Sequence, residues 1–372
     1  MTQRTQPHIR FIRPTARRLG AALLVLAVTG GALAGAAEAQ SEAGGSRSLT
    51  MQPIDGVARL ATGDGVFMQD RAGAWWRVAL SGDGDSHAVR LVAVAAAHSL
   101  DWPAGTEPAG ALAGSRPAVG DGAVRQAWLT RPTARYRHGV FGIEQEAAGL
   151  MVRFADGAAD ELVLEPPLVF EDRRPLIVDL GPDGGAGVVS VLSAAGRGAA
   201  LVFVSRADGQ VAITARGPAI GQSNRWLNPI GAADLDGDGR VELAAVVTPH
   251  IGGTLTIYRR QADRLEPVAA ADGFSNHAFG SEEQSLATIG DLDNDGRPEV
   301  IVPAANQRAM RIMVLHNGQL RETGRIDHGA AVSTNTVSGR IMRPDGQAVP
   351  VVAYGLADGR LVVVMHSGGF AP

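Results

Sequence analysis

Asp234, Asp236 and Asp238 stand on alternate positions before Gly239, with Glu242 behind them; Asp291, Asp293 and Asp295 do the same before Gly296 and Glu299. Oxygen donors at that spacing suit a hard cation. Calcium takes six to eight oxygens at about 2.3–2.6 Å, and a tight loop can supply them from positions 1, 3 and 5, a main-chain carbonyl at position 7 and a later carboxylate. The position-7 carbonyls here belong to Arg240 and Arg297. A glycine at position 6 makes a bend that a Cβ would resist. An EF-hand would need a glutamate at position 12 and then a helix. Position 12 is Ala245 in one loop and Val302 in the other. A metal-free Asp/Gly turn would account for a single copy. Two copies in the register Asp-Leu-Asp-x-Asp-Gly-Arg-x-Glu, starting 57 residues apart, favour two calcium sites.

Each loop runs into a short stretch rich in β-branched or small apolar residues, Leu243 to Thr248 and Val300 to Pro303, which predicts a strand. The pattern continues outside the two clear copies. Asp179 precedes the run Val188 to Leu192, Asp121 precedes Val124 to Leu129, and Asp345 precedes Val349 to Ala353. In the Asp179 copy, Gly181 and Gly187 replace two acidic positions, so that loop is expected to have lost its metal. Further strand pairs around polar turns give four short strands per roughly 50–58 residues, with no helical period, which is the signature of a β-propeller blade. With an N-terminal unit near Val57 to Ala96, the count is six blades, or seven if that unit is split. The last unit is one strand short. A segment near Ser48 to Pro53 could close it and cover an exposed edge. Two separate β domains are the competing arrangement, with the Pro/Gly-rich stretch Trp102 to Pro117 as a loop or boundary.

The Asp-x-Asp-x-Asp-Gly loop, its following Glu and the strand-bounded repeat resemble the FG-GAP or VCBS repeats of integrin α-subunit propellers and many exported bacterial proteins. The resemblance is specific over residues 228–315 and degenerate over 119–227 and 335–366. It implies that the carboxylates of Asp234, Asp236, Asp238, Glu242, Asp291, Asp293, Asp295 and Glu299 are calcium ligands. The family's Phe-Gly and Gly-Ala-Pro signatures are not cleanly present, so integrin-like ligand binding is not implied.

The N-terminus reads as an export signal over residues 1–39, with Arg10, Arg13, Arg17 and Arg18 before the apolar run Ala21 to Val28 and cleavage after Ala39. The run is too short and Gly-interrupted for a membrane span. What remains, residues 40–372, is expected to be one all-β propeller domain, periplasmic or secreted, with no stable membrane span. The chain has no cysteine, which excludes disulfides, and no lysine, which excludes Schiff-base chemistry. Without the leader, 29 arginines face 37 acidic residues, a net charge of −8, which argues against nucleic acid as a partner.

In an antiparallel blade, successive loops alternate between the strand ends. The face opposite the calcium loops should therefore carry Arg135, Tyr136 and His138, Arg225 and Trp226, His250, and Asn276 with His277. These types are thinly spread elsewhere, and aromatic, arginine and amide groups suit a polar ligand or a partner's loop. The expected function is a non-catalytic binding or scaffolding module for a protein or glycan. The alternative is a calcium-dependent polysaccharide lyase or hydrolase drawing on Tyr136, His138, His250 and His277, with Arg135 or Arg225 steadying a uronate carboxylate. No Gly-x-Ser-x-Gly elbow is present, and the histidines lack the short spacing of a zinc ligand pair, so no catalytic residue is assigned.

Overall fold

The computed structural model describes residues 38–41 and 46–366, apart from 54, 82–87, 95–107, 143–144 and 182–183. Residues 1–37, most of the expected leader, lie outside that range, and the cleavage point after Ala39 falls within the first strand. The described residues are all-β, with no helix.

After β1 (Glu38–Ser41) and β2 (Ser46–Met51), four-stranded antiparallel meanders follow one another. The first is β3 (Val57–Thr62), β4 (Val66–Asp70), β5 (Trp75–Ser81) and β6 (Ala88–Val94). The second is β7 (Ala118–Val119), β8 (Val124–Thr133), β9 (Glu146–Phe154) and β10 (Ala159–Val163). A short strand, β11 (Val169–Phe170), joins β9 to the third meander, β12 (Leu176–Asp179), β13 (Ala186–Ala194), β14 (Gly198–Ala207) and β15 (Gln210–Arg216). The fourth is β16 (Leu227–Ala233), β17 (Glu242–Val247), β18 (Thr254–Gln261) and β19 (Arg264–Asp272). The fifth is β20 (Thr288–Gly290), β21 (Glu299–Pro303), β22 (Ala309–His316) and β23 (Gln319–Asp327). The last has three strands of its own, β24 (Val337–Met342), β25 (Ala348–Gly355) and β26 (Leu361–His366). Its fourth is β2, paired antiparallel to β26 from Ser46–His366 to Met51–Leu361, and β1 adds a fifth strand on the far side of β2. The strand expected near Ser48 to Pro53 is therefore β2, and it covers the edge that β26 would expose.

Burial explains why second strands read as apolar runs and last strands as mixed ones. Residues 187–194 of β13 are all buried, whereas β23 buries only Gly324 and Ile326. Each middle strand is covered on both faces by neighbouring meanders, and each outermost strand meets water. The apolar clusters lie accordingly between successive meanders. Val189, Leu201 and Phe203 of the third pack with Leu243, Ala245 and Tyr258 of the fourth. Ala244, Val246 and Ile257 of the fourth pack with Val300, Val302 and Met313 of the fifth. Leu49, Val351 and Val363 of the last pack with Leu60, Val66 and Met68 of the first.

In every meander an aspartate of the repeat stands at the turn between first and second strands: Asp121, Asp234, Asp291 and Asp345 within it, Asp64 within the first, and Asp179 as the last residue of β12. The first strands pack side by side, and at one point the approach leaves no room for a side chain. A Cβ on Gly290 of β20 would lie 2.1 Å from the Ser338 Oγ of β24. Of the expected boundary at Trp102 to Pro117, residues 102–107 lie outside those described; the remainder turns into an isolated bridge between Ala111 and Thr130.

Candidate functional site

The two acidic loops close on themselves in the same way. Asp234 accepts hydrogen bonds from the Gly237 and Gly239 amides, both 2.8 Å, and buried Glu242 accepts one from the Leu235 amide at 2.9 Å. Asp291 accepts from Asp295 and Gly296, both 3.0 Å, and Glu299 from Leu292 at 2.8 Å. Gly239 and Gly296 have φ of 84° and 87°, the left-handed region that a position-6 glycine supplies at little cost. Carboxylate oxygens of Asp234, Asp236 and Glu242 lie within 4.8 Å of one another, as do those of Asp291, Asp293 and Asp295. All donors are oxygens, which fits calcium rather than a softer metal. Glu299 is pushed up to about 7, first by burial and then by Asp293 and Asp291. Glu242 is also raised by burial, against the pull of Arg259. Asp179 only caps the Gly181 amide at 2.9 Å, and its neighbour Asp183 lies outside the described residues.

At the other end of β17, a strand of about 20 Å at 3.3 Å per residue, lies the turn carrying His250. Trp226 stacks on His250 with ring centroids 6.0 Å apart and planes 9° apart. His250 Nε2 lies 2.8 Å from His277 Nδ1, and His277 Nε2 lies 2.9 Å from the Ser281 carbonyl. The carbonyl can only accept, so His277 carries its proton on Nε2 and receives the His250 N–H on Nδ1. Burial pushes both imidazoles down to about 4, helped for His277 by His250 and for His250 by His138. Beside them, His138 Nδ1 lies 2.5 Å from Glu171 Oε1, and Ser193 Oγ donates to the other oxygen of that buried carboxylate. Tyr136 stands edge-on to His138, accepts the Asn224 amide at 2.8 Å, and is pushed up to about 12 by burial and then by Glu171.

The eight residues expected on an accessible rim thus gather at one end of the strands, but several lie beneath the surface. Trp226 is buried and donates its indole N–H to the Glu171 carbonyl at 2.9 Å. Asn276 and His277 are fully buried. Arg135 turns inward onto the Leu164 and Leu168 carbonyls, each at 2.9 Å, and Arg225 reaches the Asn224 carbonyl at 3.1 Å. Two loops close over Trp226: the connection from β19 to β20 brings His277 to 4.9 Å between ring centroids, and the β8–β9 loop brings Phe141 to 5.2 Å. What this end does expose is Ile251 (60%) and Phe279 (65%), the latter edge-on to His250.

Next to this group lies a feature that sequence reasoning missed. A cavity of about 270 Å³ is lined by Arg174 before β12, Asn228 in β16, Gln284 and Ser285 before β20, and Asn335 and Thr336 before β24. Thr62, Thr288 and Ser338 add hydroxyls. Arg174 Nη1 donates to Ser285 Oγ at 2.9 Å, the Thr336 amide to the Ser285 carbonyl at 2.7 Å, and Asn228 Nδ2 to the Gln284 carbonyl at 2.8 Å. Gln284 Nε2 reaches Asp172, a buried carboxyl raised by its burial, at 3.0 Å. The signal was present in the repeat: Asn228 and Ser285 each stand six residues before the first aspartate of an acidic loop. Both lie at the strand end away from that loop.

Residues 234–302 match the FG-GAP-like repeat family, so this stretch is an FG-GAP-like repeat. It begins at the first aspartate of one acidic loop and ends three residues past Glu299 of the other. No curated protein matches the chain. Among solved structures the chain is similar to the soluble aldose sugar dehydrogenase of Escherichia coli in its apo form, with 13% identity, 86% of this chain and 99% of that chain covered, and a TM-score of 0.40. Likeness at that level says nothing about activity. Among the described residues no helix is long and apolar enough to cross a membrane.

Proposed function

We propose that the chain is an exported, calcium-stabilised propeller of six four-stranded blades that binds a polar ligand, a glycan by preference, without catalysing its conversion. The observation that carries this reading is the cavity lined by Arg174, Asn228, Gln284, Ser285, Asn335 and Thr336. Amides and hydroxyls converging with one guanidinium are the groups that recognise sugar hydroxyls, and a concave site among strand ends suits a small polar molecule. Calcium supports the scaffold. Bound to an acidic loop of the native state alone it stabilises by mass action, and without it that loop's carboxylates repel wherever no cation offsets them. A catalytic reading is disfavoured because His277 spends both nitrogens inside the fold and His138 Nδ1 is held by Glu171. Few proton carriers are left facing a substrate.

A glycan array probed with the chain lacking residues 1–39, run beside an Arg174→Met/Asn335→Ala variant, tests the binding site. Binding that the variant loses while keeping its circular dichroism supports the reading, and equal binding by both removes it. A second reading, docking of an envelope protein, rests on exposed Phe279 and Ile251. Envelope pull-down with Phe279→Ser/Ile251→Ser distinguishes it, since the glycan site would be untouched. Melting in calcium and in EDTA tests the metal, and superimposable curves would remove it.

A further inference from the structure

The two acidic loops look interchangeable in sequence, yet their surroundings differ. In the β17–β18 ladder Glu242 is paired with Arg259. The Arg259 guanidinium lies among the carboxylates of the first loop: Nε to Glu242 Oε1 at 2.8 Å, Nη2 to Glu242 Oε1 at 2.5 Å and Asp236 Oδ2 at 2.9 Å, and Nη1 to Asp238 Oδ2 at 3.2 Å. A guanidinium is charged at any working pH, and its planar fork suits several carboxylates at once.

The second loop has no counterpart. Val300 pairs with Met313, so the residue one step along the ladder, opposite Glu299, is Val314. Where the first loop holds a guanidinium from its ladder partner, a cavity of about 360 Å³ opens against Asp293, Asp295, Glu299 and Val314, with Arg297 and Arg321 also on its wall. The second loop's own Arg297 is half exposed; it pairs with Asp295 at 2.6 Å and feels Asp293 and Glu299 through charge alone. The first meander gives a related example: Arg77 of β5 reaches Asp64 in its own first turn at 2.9 Å.

We infer that Arg259 takes the cation's place in the loop that begins at Asp234, so that this loop is closed by an internal guanidinium, whereas the loop that begins at Asp291 depends on a divalent cation. The inference rests on the calcium reading only for the second loop. For the first it states a misfit: a calcium ion would have to displace a partly buried, multiply bonded arginine from its own ligands.

Equilibrium dialysis of radioactive calcium against metal-stripped chain lacking residues 1–39 tests it, with wild type, Arg259→Met, Asp293→Asn and the double variant. The expected stoichiometries are one, two, none and one calcium per chain. Arg259→Met should also lose thermal stability in EDTA and regain it with calcium. Arg259→Lys, which keeps the charge, should bind one calcium like wild type. Arg259→Gln, similar in length but uncharged, replaces the Met variant if that proves insoluble. Two equal sites in wild type, or no added site on losing the Arg259 charge, overturns the inference. Wild type that binds none, with the double variant binding one, overturns the calcium role of the Asp291 loop and leaves the assignment of Arg259 standing.

Discussion

Asn228 and Asn276 grip each other's backbone across 48 residues: Asn228 Nδ2 donates to the Asn276 carbonyl at 3.2 Å, and Asn276 Nδ2 to the Asn228 carbonyl at 3.1 Å. Both residues are buried. The pair pins the connection before β20 onto β16, placing Gln284 and Ser285 over the cavity and His277 under His250. Asn276→Ala leaves the Asn228 carbonyl buried with one donor fewer, which costs about 1–3 kcal/mol. The urea midpoint should fall by that loss divided by the m-value. Because the connection is released, the Trp226 fluorescence should also move to longer wavelength. An unshifted midpoint would show that the connection is held elsewhere.

Gly290 and Ser338 set how closely β20 and β24 approach. A Cβ at 290 would lie 2.1 Å from Ser338 Oγ and 2.8 Å from Ser338 Cβ, so Gly290→Ala forces these strands apart and should cost about 1–3 kcal/mol as overpacking. Gly290→Ala/Ser338→Gly should recover part of the loss, since the second change vacates the space the first needs. A double-mutant cycle of thermal unfolding checks this. Additive losses would mean that the strands adjust independently.

How much of this was legible depended on whether the information was local. The acidic loops, the strands after them and the strand that completes the last meander are written in runs of about ten residues, and each was readable. Asp64, in Gly63-Asp64-Gly65, lacks the other carboxylates and drew no notice, although it marks the same turn. The depth of Trp226 and His277 was not readable, because it depends on where residues 273–287 cross the strand ends. A polar residue on a loop reads as exposed until the covering segment is known. Arg259 was invisible for a related reason. It stands beside Arg260 at the end of an apolar strand, and only the β17–β18 register turns one of the two toward Glu242.

The His250–His277 pair gives the protein an acid sensitivity of definite sign. Both are depressed to about 4 by burial, so the unfolded chain takes up protons between the ordinary histidine value and that level while the native chain does not. Their contribution is complete above about pH 6.5 and is lost as pH falls towards 4. His328, against Tyr354 at 2.8 Å, is depressed likewise and acts in the same direction. Buried Glu171 and Asp172 are raised and act in the opposite sense, so the effect is read between variants. His250→Asn should lose on the order of 1 kcal/mol less than wild type between pH 7 and pH 5. Equal losses in urea unfolding would show that His250 is protonated in the native state.

The last meander owes its fourth strand to the start of the described chain. Leu49 is fully buried between Val351, Val363 and the apolar residues of β3 and β4, and the whole of β2 hydrogen-bonds to β26. Leu49→Ala removes a packed side chain from a site with little room to collapse and should cost about 2–5 kcal/mol. Removing residues 1–52 is a different lesion, because it strips the ladder as well. The edge of β26 then offers the unpaired backbone of a fully apolar strand, Leu361 to Met365, to any other chain. The truncated protein should associate as concentration rises, whereas Leu49→Ala should remain monomeric and only melt earlier. Light scattering over a concentration series, alongside calorimetry, separates the two. A truncated chain that stays monomeric and melts like wild type would show that β26 needs no partner. A synthetic peptide of residues 44–53, added to the truncated chain, should restore monomers if pairing with β26 is what the segment contributes.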